Sequence, residues 1–173
     1  MNITFIRHTQ VAIEPGTCYG WSDVDTAPTF QEEAQKVAAD LRGDLFDKVY
    51  SSPLSRCQKL AQFCGFQPTL DNRLKELHFG NWELKRWDEI SDPTLEEWYN
   101  DWIHIPAGRG ENFLQQYQRV SSFLDDIIKS GKDCCIFTHR GVIACAMIYA
   151  GKCEMKDAFA EDIPYGSKLV LHF

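Results

Sequence analysis

Hydrophobic residues follow two patterns along the chain, and each pattern predicts a different element. Short, mainly apolar runs predict buried β-strands at residues 3–6, 48–51, 134–138 and 168–173. Longer segments with apolar residues three and four apart, or apolar throughout, predict helices at residues 29–43, 52–64, 113–129 and 142–150. Because strands and helices alternate, we expect an α/β protein with a mostly parallel sheet.

The connections between these elements have different characters. Residues 14–23 form a long, turn-rich loop whose aromatic residues indicate an ordered conformation. Residues 71–82 predict irregular structure and residues 94–103 a further helix, so we expect a small cap at residues 81–110 over one edge of the sheet. The glycines near residue 109 follow no predicted strand, and they therefore do not indicate a dinucleotide-binding loop.

Composition and charge narrow the functional classes. The 173-residue chain is 44% hydrophobic and 25% charged, which suits one globular domain spanning residues 1–173. A net charge of −7 argues against a broad nucleic-acid-binding surface, and no apolar run approaches the ~20 residues that would cross a membrane. The sequence thus favours a small-molecule partner and leaves the oligomeric state open.

Cysteine usage indicates the cellular compartment. The chain has seven cysteines, an odd number, and no signal peptide precedes the first strand, so we expect a cytoplasmic protein. None of the cysteines forms a C-x-x-C pair, and Cys134 and Cys135 fall in a predicted strand, where neighbouring side chains face opposite sides. Buried thiols explain this pattern better than a zinc site. We expect neither a metal ion nor a cofactor.

Polar residues follow three of the predicted strands. Arg7 and His8 follow the first strand, Ser52 follows the second, and His139 follows the strand at residues 134–138. The C-terminal ends of parallel strands lie on one edge of a sheet, where α/β proteins usually place their chemistry. We therefore expect these side chains to converge.

The helix after the second strand adds another cation. Ser52 is expected to cap this helix, with Pro53 at its first position. Arg56 then lies in the first turn, where the free N–H groups of a helix terminus favour anions. The alternative is that Arg56 is simply a solvated helix residue.

Two arginines and two histidines around one point suit a phosphoryl group. Guanidinium forks match its oxygens, and a neutral imidazole can attack phosphorus when nearby positive charge lowers its pKa. One histidine is then the nucleophile, and the other stabilises the transferring charge. His78, His104 and His172 receive no role, because a single histidine is more often structural than functional.

Five segments, in this order, resemble the motifs of the histidine phosphatase superfamily, which includes the cofactor-dependent phosphoglycerate mutases. The resemblance covers nearly the whole chain, and it implies a three-layer α/β/α sandwich with a mostly parallel central sheet. The segments are Arg7-His8, residues 51–56 (SSPLSR), residues 76–83 (ELHFGNWE), Gly110-Glu111 and residues 138–143 (THRGVI).

The resemblance also implies a role for each residue of the site. His8 would be the nucleophile that forms a phosphohistidine. Arg7, Arg56 and His139 would hold the phosphate. Glu76 would protonate the leaving oxygen and then help to activate water, and acid catalysis of this kind contributes roughly 10² to 10⁴-fold.

The sequence departs from the superfamily pattern in three places. Thr9 replaces a glycine, Arg140 occupies a position that is often glycine, and Glu14 stands where mutases often have asparagine. Thr9 and Arg140 leave the implied chemistry intact, and Arg140 either adds positive charge or points to solvent. An acidic Glu14 near a phosphate is unfavourable unless its loop is displaced, which weakens the analogy with mutases. Glu83 is the other carboxylate that could act in place of Glu76, and the superfamily pattern gives it a structural role.

One segment resembles a particular group within the superfamily. Residues 18–25 (CYGWSDVD) are similar to a loop of α-ribazole phosphatases, with Ser22 in place of threonine. The other interpretation of this segment is a turn packed by Tyr19 and Trp21. The group hydrolyses α-ribazole 5′-phosphate, or adenosylcobalamin 5′-phosphate, during assembly of the cobalamin nucleotide loop.

We therefore expect a metal-independent phosphomonoesterase of this type with a small phosphorylated substrate. Mutases of the superfamily tend to have a larger cap than the segment between Glu83 and Gly110, so the resemblance implies hydrolysis rather than phosphate transfer. The alternatives are a broad-specificity sugar-phosphate phosphatase or a phosphoglycerate mutase-like enzyme. A different class is a non-catalytic module that binds phosphate.

Overall fold

A computed structural model describes residues 1–173, and a β-sheet lies at the centre of the molecule. The strands are β1 (Asn2–Arg7), β2 (Lys48–Ser51), β3 (Thr69–Leu70), β4 (Cys134–Thr138) and β5 (Lys168–His172). They form one five-stranded sheet in the order β3-β2-β4-β1-β5. Only β5 runs antiparallel to its neighbour, so the prediction of a mostly parallel sheet is confirmed.

Helices cover both faces of this sheet. They are α1 (Phe30–Asp40), α2 (Ser55–Phe63), α3 (Thr94–Asn100), α4 (Phe113–Ile128) and α5 (Arg140–Tyr149). Short 3₁₀ turns occupy Asn72–Leu74, Gly80–Trp82, Trp87–Glu89, Ala107–Arg109 and Met155–Asp157.

The alternation of side chains along the strands separates two hydrophobic cores. Phe5 and Ile136 pack with residues of α4 and α5 on one face of the sheet. Ile6, Cys135 and Phe137 pack with residues of α1 and α2 on the other face. Successive residues of a strand point to opposite faces, so strands buried on both sides are apolar at every position. The result is the expected three-layer α/β/α arrangement.

The start of α2 differs from the sequence-based prediction. The helix begins at Ser55, with Leu54 in an extended conformation before it, so Ser52 is not its cap. The Ser52 hydroxyl lies 2.8 Å from Nε2 of His139, although it also accepts a weak bond of 3.3 Å from the Leu54 amide. His139, at the end of a distant strand, therefore binds the hydroxyl that the local sequence pattern assigned to the helix cap.

Two other helix boundaries also differ from the predictions. Helix α5 begins at Arg140, directly after β4, rather than at residue 142. Helix α3 ends at Asn100, because Asp101 leaves the helical conformation. None of the helices is long and apolar enough to cross a membrane.

The predicted cap has a small core of its own. Trp82 is buried there with Leu77 and Ala107, and aromatic side chains of the cap pack around them. The Trp82 indole N–H donates to Asp92 at 2.9 Å, which satisfies the polar atom of this buried ring. The cap thereby holds a set of aromatic rings against one edge of the sheet.

Candidate active site

Parallel pairing brings three polar strand ends to one edge of the sheet. Arg7 at the end of β1 is in register with Thr138 at the end of β4, and Ser51 at the end of β2 is in register with Phe137. The residues that follow are His8, Ser52 and His139. The ring centroids of His8 and His139 lie only 5.2 Å apart, with the ring planes inclined by 64°.

The hydrogen bond of His8 determines which of its nitrogens is available for chemistry. Nδ1 lies 2.7 Å from the carbonyl oxygen of Thr9, which can only accept, so Nδ1 carries the proton of the neutral ring. The lone pair is then on Nε2. Burial, the Arg56 charge and the Arg7 charge lower the pKa of His8 well below its ordinary value, although the bond to Thr9 opposes them. The imidazole is therefore neutral at neutral pH, as a nucleophile requires.

His139 is held differently from His8. It precedes α5 and is fully buried, with Nε2 2.8 Å from the Ser52 hydroxyl and 3.5 Å from the Cys57 sulfur. Burial, followed by the charge of Arg56 and the proximity of His8, lowers the pKa of His139 well below its ordinary value. The two histidines thus form a buried, uncharged pair beside two arginines.

The two arginines have fixed guanidinium groups with spare donors. Arg7 donates to the carbonyl of Ile163 and stacks 3.9 Å above the ring of Tyr165. Arg56 is fully buried, although a surface helix was the alternative expectation for it. The Nε–H groups of both arginines are buried and have no partner in the protein. Buried donors without acceptors are costly, and an anion between these arginines would satisfy them.

Glu76 is oriented by three N–H donors. Its Oε1 accepts from the Leu77 amide at 2.9 Å and from the Gln116 side chain at 3.0 Å, and its Oε2 accepts from the Gly141 amide at 3.2 Å. A Cβ atom on Gly141 would stand 2.2 Å from Oε1 of Glu76. A side chain at this position would therefore displace the Glu76 carboxylate from its present position.

Sequence reasoning missed the residues that support Glu76 from behind. Arg119 donates to the carbonyl oxygens of Lys75 and Glu76 at 2.7 and 2.9 Å, and its guanidinium pairs with Glu111. Glu111 was noted only as part of a motif, and Gln116 and Arg119 lie on α4 without any local signal of function. These residues are far from residue 76 in the sequence, and only the folded chain brings them together, so no local pattern could indicate their role.

A cavity of about 400 Å³ lies between part of this polar cluster and the aromatic cap, and Arg56 and His139 do not line it. Arg7, His8 and Glu76 lie in its wall, and Gln116, Arg140 and Gly141 complete the polar side. The remaining wall is largely aromatic, with Tyr19, Phe79, Trp87, Trp98, Tyr99, Trp102, Phe113 and Phe159. A ligand held by its phosphate at His8 would thus extend over apolar rings.

The residues that departed from the superfamily pattern lie in different places. Glu14 is exposed, does not line this cavity, and has its charge paired with Arg86 at 3.1 Å. Arg140 lines the cavity, and its guanidinium carbon lies 5.2 Å from the ring centre of Phe159. Arg140 therefore adds positive charge to the cavity wall, which was one of the two alternatives for this residue. Thr9 is buried next to His8.

The histidines that received no role lie apart from this cavity wall. His78 stacks on Trp21 with ring centroids 4.5 Å apart. His104 contacts Asp101 at 2.9 Å, and His172 contacts Asn2. Their contacts are local or structural.

Comparisons with known proteins identify the family of the chain. A family model described as "Histidine phosphatase superfamily (branch 1)" matches residues 3–173. The adenosylcobalamin/alpha-ribazole phosphatase of Escherichia coli K12 is 29% identical over 155 residues, which cover 83% of this chain and 76% of the relative. A putative phosphoserine phosphatase 2 of Hydrogenobacter thermophilus is 30% identical over 147 residues, covering 80% and 72%.

The fold also matches that of solved structures. The crystal structure of the alpha-ribazole phosphatase from Shigella flexneri superposes with a TM-score of 0.90, over 98% of this chain and 89% of the other, at 23% identity. At that identity the likeness shows the fold alone. Together with the family match along almost the whole chain, these findings show that the chain belongs to the histidine phosphatase superfamily, branch 1.

Proposed function

We propose that the chain is a phosphomonoesterase that transfers the phosphoryl group of its substrate to His8 and then to water. In the first step Nε2 of His8 forms a bond to phosphorus as the bond to the leaving oxygen breaks. Glu76, in its protonated form, donates the proton that the leaving oxygen needs. In the second step water attacks the phosphohistidine, Glu76 takes its proton, and inorganic phosphate and free His8 are regenerated.

Arg7, Arg56 and His139 hold the phosphoryl group in this scheme. The buried Nε–H groups of the two arginines support the assignment, because they face no acceptor of the protein itself. Charge-assisted bonds of this type contribute ~1.5 to 3 kcal/mol each. The Ser52 hydroxyl can donate to Nε2 of a neutral His139, and the proton on Nδ1 is then left to donate to the phosphoryl oxygens.

The substrate that we propose is α-ribazole 5′-phosphate or the corresponding adenosylcobalamin 5′-phosphate. The observation that carries this choice is the aromatic wall that shares one cavity with His8 and Glu76. Planar, largely apolar leaving groups such as a benzimidazole nucleoside stack on such rings. A small leaving group that carries a carboxylate, such as that of 3-phosphoglycerate, would leave most of the wall unused.

Substrate comparison tests this specificity. The value of kcat/KM should be at least roughly fivefold higher for α-ribazole 5′-phosphate than for 3-phosphoglycerate or O-phosphoserine, since one good ring contact contributes about 1 kcal/mol beyond burial. A preference for either small acid would remove the specific assignment and leave a broader phosphatase or a mutase-like enzyme.

Trapping the intermediate tests the mechanism separately. Rapid acid-free quenching of a reaction with labelled substrate should leave acid-labile phosphate on the wild-type protein and none on His8→Ala. Turnover that survives His8→Ala would contradict the mechanism. A protein that binds phosphate without any turnover would be the non-catalytic module instead.

All seven cysteines are free, which supports a cytoplasmic location as part of the same proposal.

A further inference from the structure

The backbone of residues 20–22 lies between a carboxylate and Arg56. Glu83 Oε1 accepts hydrogen bonds from the amides of Gly20 and Ser22, at 2.9 and 2.7 Å. The carbonyl oxygens of the same two residues accept from the Arg56 guanidinium, from Nη2 at 2.6 Å and Nη1 at 3.0 Å. The loop is therefore bonded on one side to Glu83 and on the other side to Arg56.

These contacts lie in the interior. Arg56 is fully buried, and the Glu83 side chain is only 8% exposed. Water therefore cannot easily replace these four hydrogen bonds. Each has a charged partner, so each contributes more free energy than a hydrogen bond between neutral groups. Gly20 has no room for a side chain, because a Cβ there would stand 1.9 Å from the Leu77 carbonyl oxygen.

The rest of the same loop also encloses Arg56. The ring of Tyr19 lies 5.3 Å from the guanidinium carbon, and Asp23 accepts from the Ser55 amide at 2.8 Å, one residue before Arg56. The two carbonyls bind the two terminal nitrogens of a planar fork, so they fix the orientation of the guanidinium. What remains to bind a ligand is Nε–H and the second hydrogen of each terminal nitrogen.

We infer that Glu83 is a positioning residue for the phosphate site, acting on Arg56 through the backbone of residues 20–22. Without its carboxylate, the Gly20 and Ser22 amides lose their acceptor and the loop can rotate. The two carbonyls then no longer fix the Arg56 fork, and phosphate binds more weakly. The inference rests on the proposed role of Arg56 in holding phosphate.

A double-mutant cycle between Glu83 and Arg56 separates positioning from a general structural role. The probe is inorganic phosphate, with its Kd measured by isothermal titration calorimetry on the full chain. Glu83→Ala should raise the Kd roughly tenfold in the wild-type background, the scale of one lost charge-assisted bond. In the Arg56→Lys background, which lacks the fork, the same change should alter the Kd by less than about twofold.

Two further variants keep the test decisive. Glu83→Gln keeps Oε1 as an acceptor for both amides, so its Kd should stay within about threefold of the wild type. If Glu83→Ala does not fold, Glu83→Asp replaces it, because a side chain shorter by one methylene cannot reach both amides. Asp92→Ala is the matched control, since this carboxylate also holds the cap, through Trp82, but contacts neither the loop nor Arg56.

The outcomes distinguish this inference from the proposed function. Asp92→Ala should lower the thermal midpoint while the Kd for phosphate and its response to Arg56→Lys stay unchanged. An equal rise of the Kd for Glu83→Ala in both backgrounds, or no rise in the wild type, would overturn the role of Glu83. If Arg56→Lys itself leaves the Kd unchanged, the proposed phosphate site is wrong.

Discussion

At the residue scale, the proton position on His8 and the orientation of Glu76 decide the chemistry. The Thr9 carbonyl directs the His8 proton to Nδ1, and three N–H donors fix the Glu76 carboxylate in the wall of the same cavity. In the mechanism that we propose, one group is therefore set as the nucleophile and the other as the proton carrier before any substrate binds. Such preorganisation would lower the barrier, because no side chain would have to reorient during the reaction.

Replacing the proton carrier alone should reduce kcat without weakening phosphate binding. We expect Glu76→Gln to lower kcat by roughly 10² to 10⁴-fold, because glutamine keeps the size but cannot transfer a proton. Steady-state kinetics and the Kd for inorganic phosphate measure the two effects. Glu14→Gln is the matched control, since Glu14 lies outside the cavity and should retain wild-type kcat.

At the element scale, the first turn of α5 and the cap determine how the site is shaped. Helix α5 follows β4 directly, so His139 precedes the helix and the Gly141 amide reaches Glu76. The cap contributes no predicted catalytic residue and instead supplies four rings of the aromatic wall, Trp87, Trp98, Tyr99 and Trp102. Helix position thus orients the polar groups, and under the proposed function cap packing determines part of what the leaving group contacts.

Substituting the glycine in the first turn of α5 tests whether this helix orients the Glu76 carboxylate. Gly141→Ala places a methyl group where Glu76 Oε1 now lies, so the carboxylate must move and kcat should fall by more than tenfold, on the order of a misplaced catalytic group. The Kd for inorganic phosphate should change little. Met147→Ala, on the same helix but lining another cavity, should lower stability without this loss of kcat. Equal kcat losses in both variants would contradict the steric explanation.

The cap gives a test of substrate recognition. Trp98 stacks on Trp87 with ring centroids 5.8 Å apart and lines the cavity. We expect Trp98→Leu to raise KM for α-ribazole 5′-phosphate by roughly tenfold, since leucine stays apolar but loses the ring face. KM for a phosphate ester with a small leaving group should be nearly unchanged. If both KM values rise equally, Trp98 supports the fold rather than the leaving group.

At the scale of the whole molecule, the sequence predicted what depends on local pattern and parallel topology. The convergence of His8 and His139 follows from two apolar strands that end at those residues. The support of Glu76 by Arg119, and the enclosure of Arg56 by residues 20–22, could not be predicted, because each joins segments far apart in the chain. The error at Ser52 has the same origin, since His139 competes for a hydroxyl that local rules assign to a helix cap.

The buried histidine pair also links the site to the stability of the whole chain. Folding lowers the pKa of His8 and His139 well below the ordinary value of 6.5, so the unfolded chain binds more protons at mildly acidic pH. The stabilisation of the neutral rings is fully present above pH 6.5. It declines as the pH falls from 6.5 toward the folded pKa values, by at most about 1.4 kcal/mol per pH unit for each histidine.

Urea unfolding at pH 7.0, 6.0 and 5.0 should therefore show a falling free energy of unfolding, and His8→Asn should have a smaller slope because asparagine does not titrate. A wild-type free energy that stays constant over this range would mean that the folded protein accepts the protons as readily as the unfolded chain. The pKa values of the two rings would then not be lowered by folding, and the argument that burial and the arginines keep His8 neutral would fail.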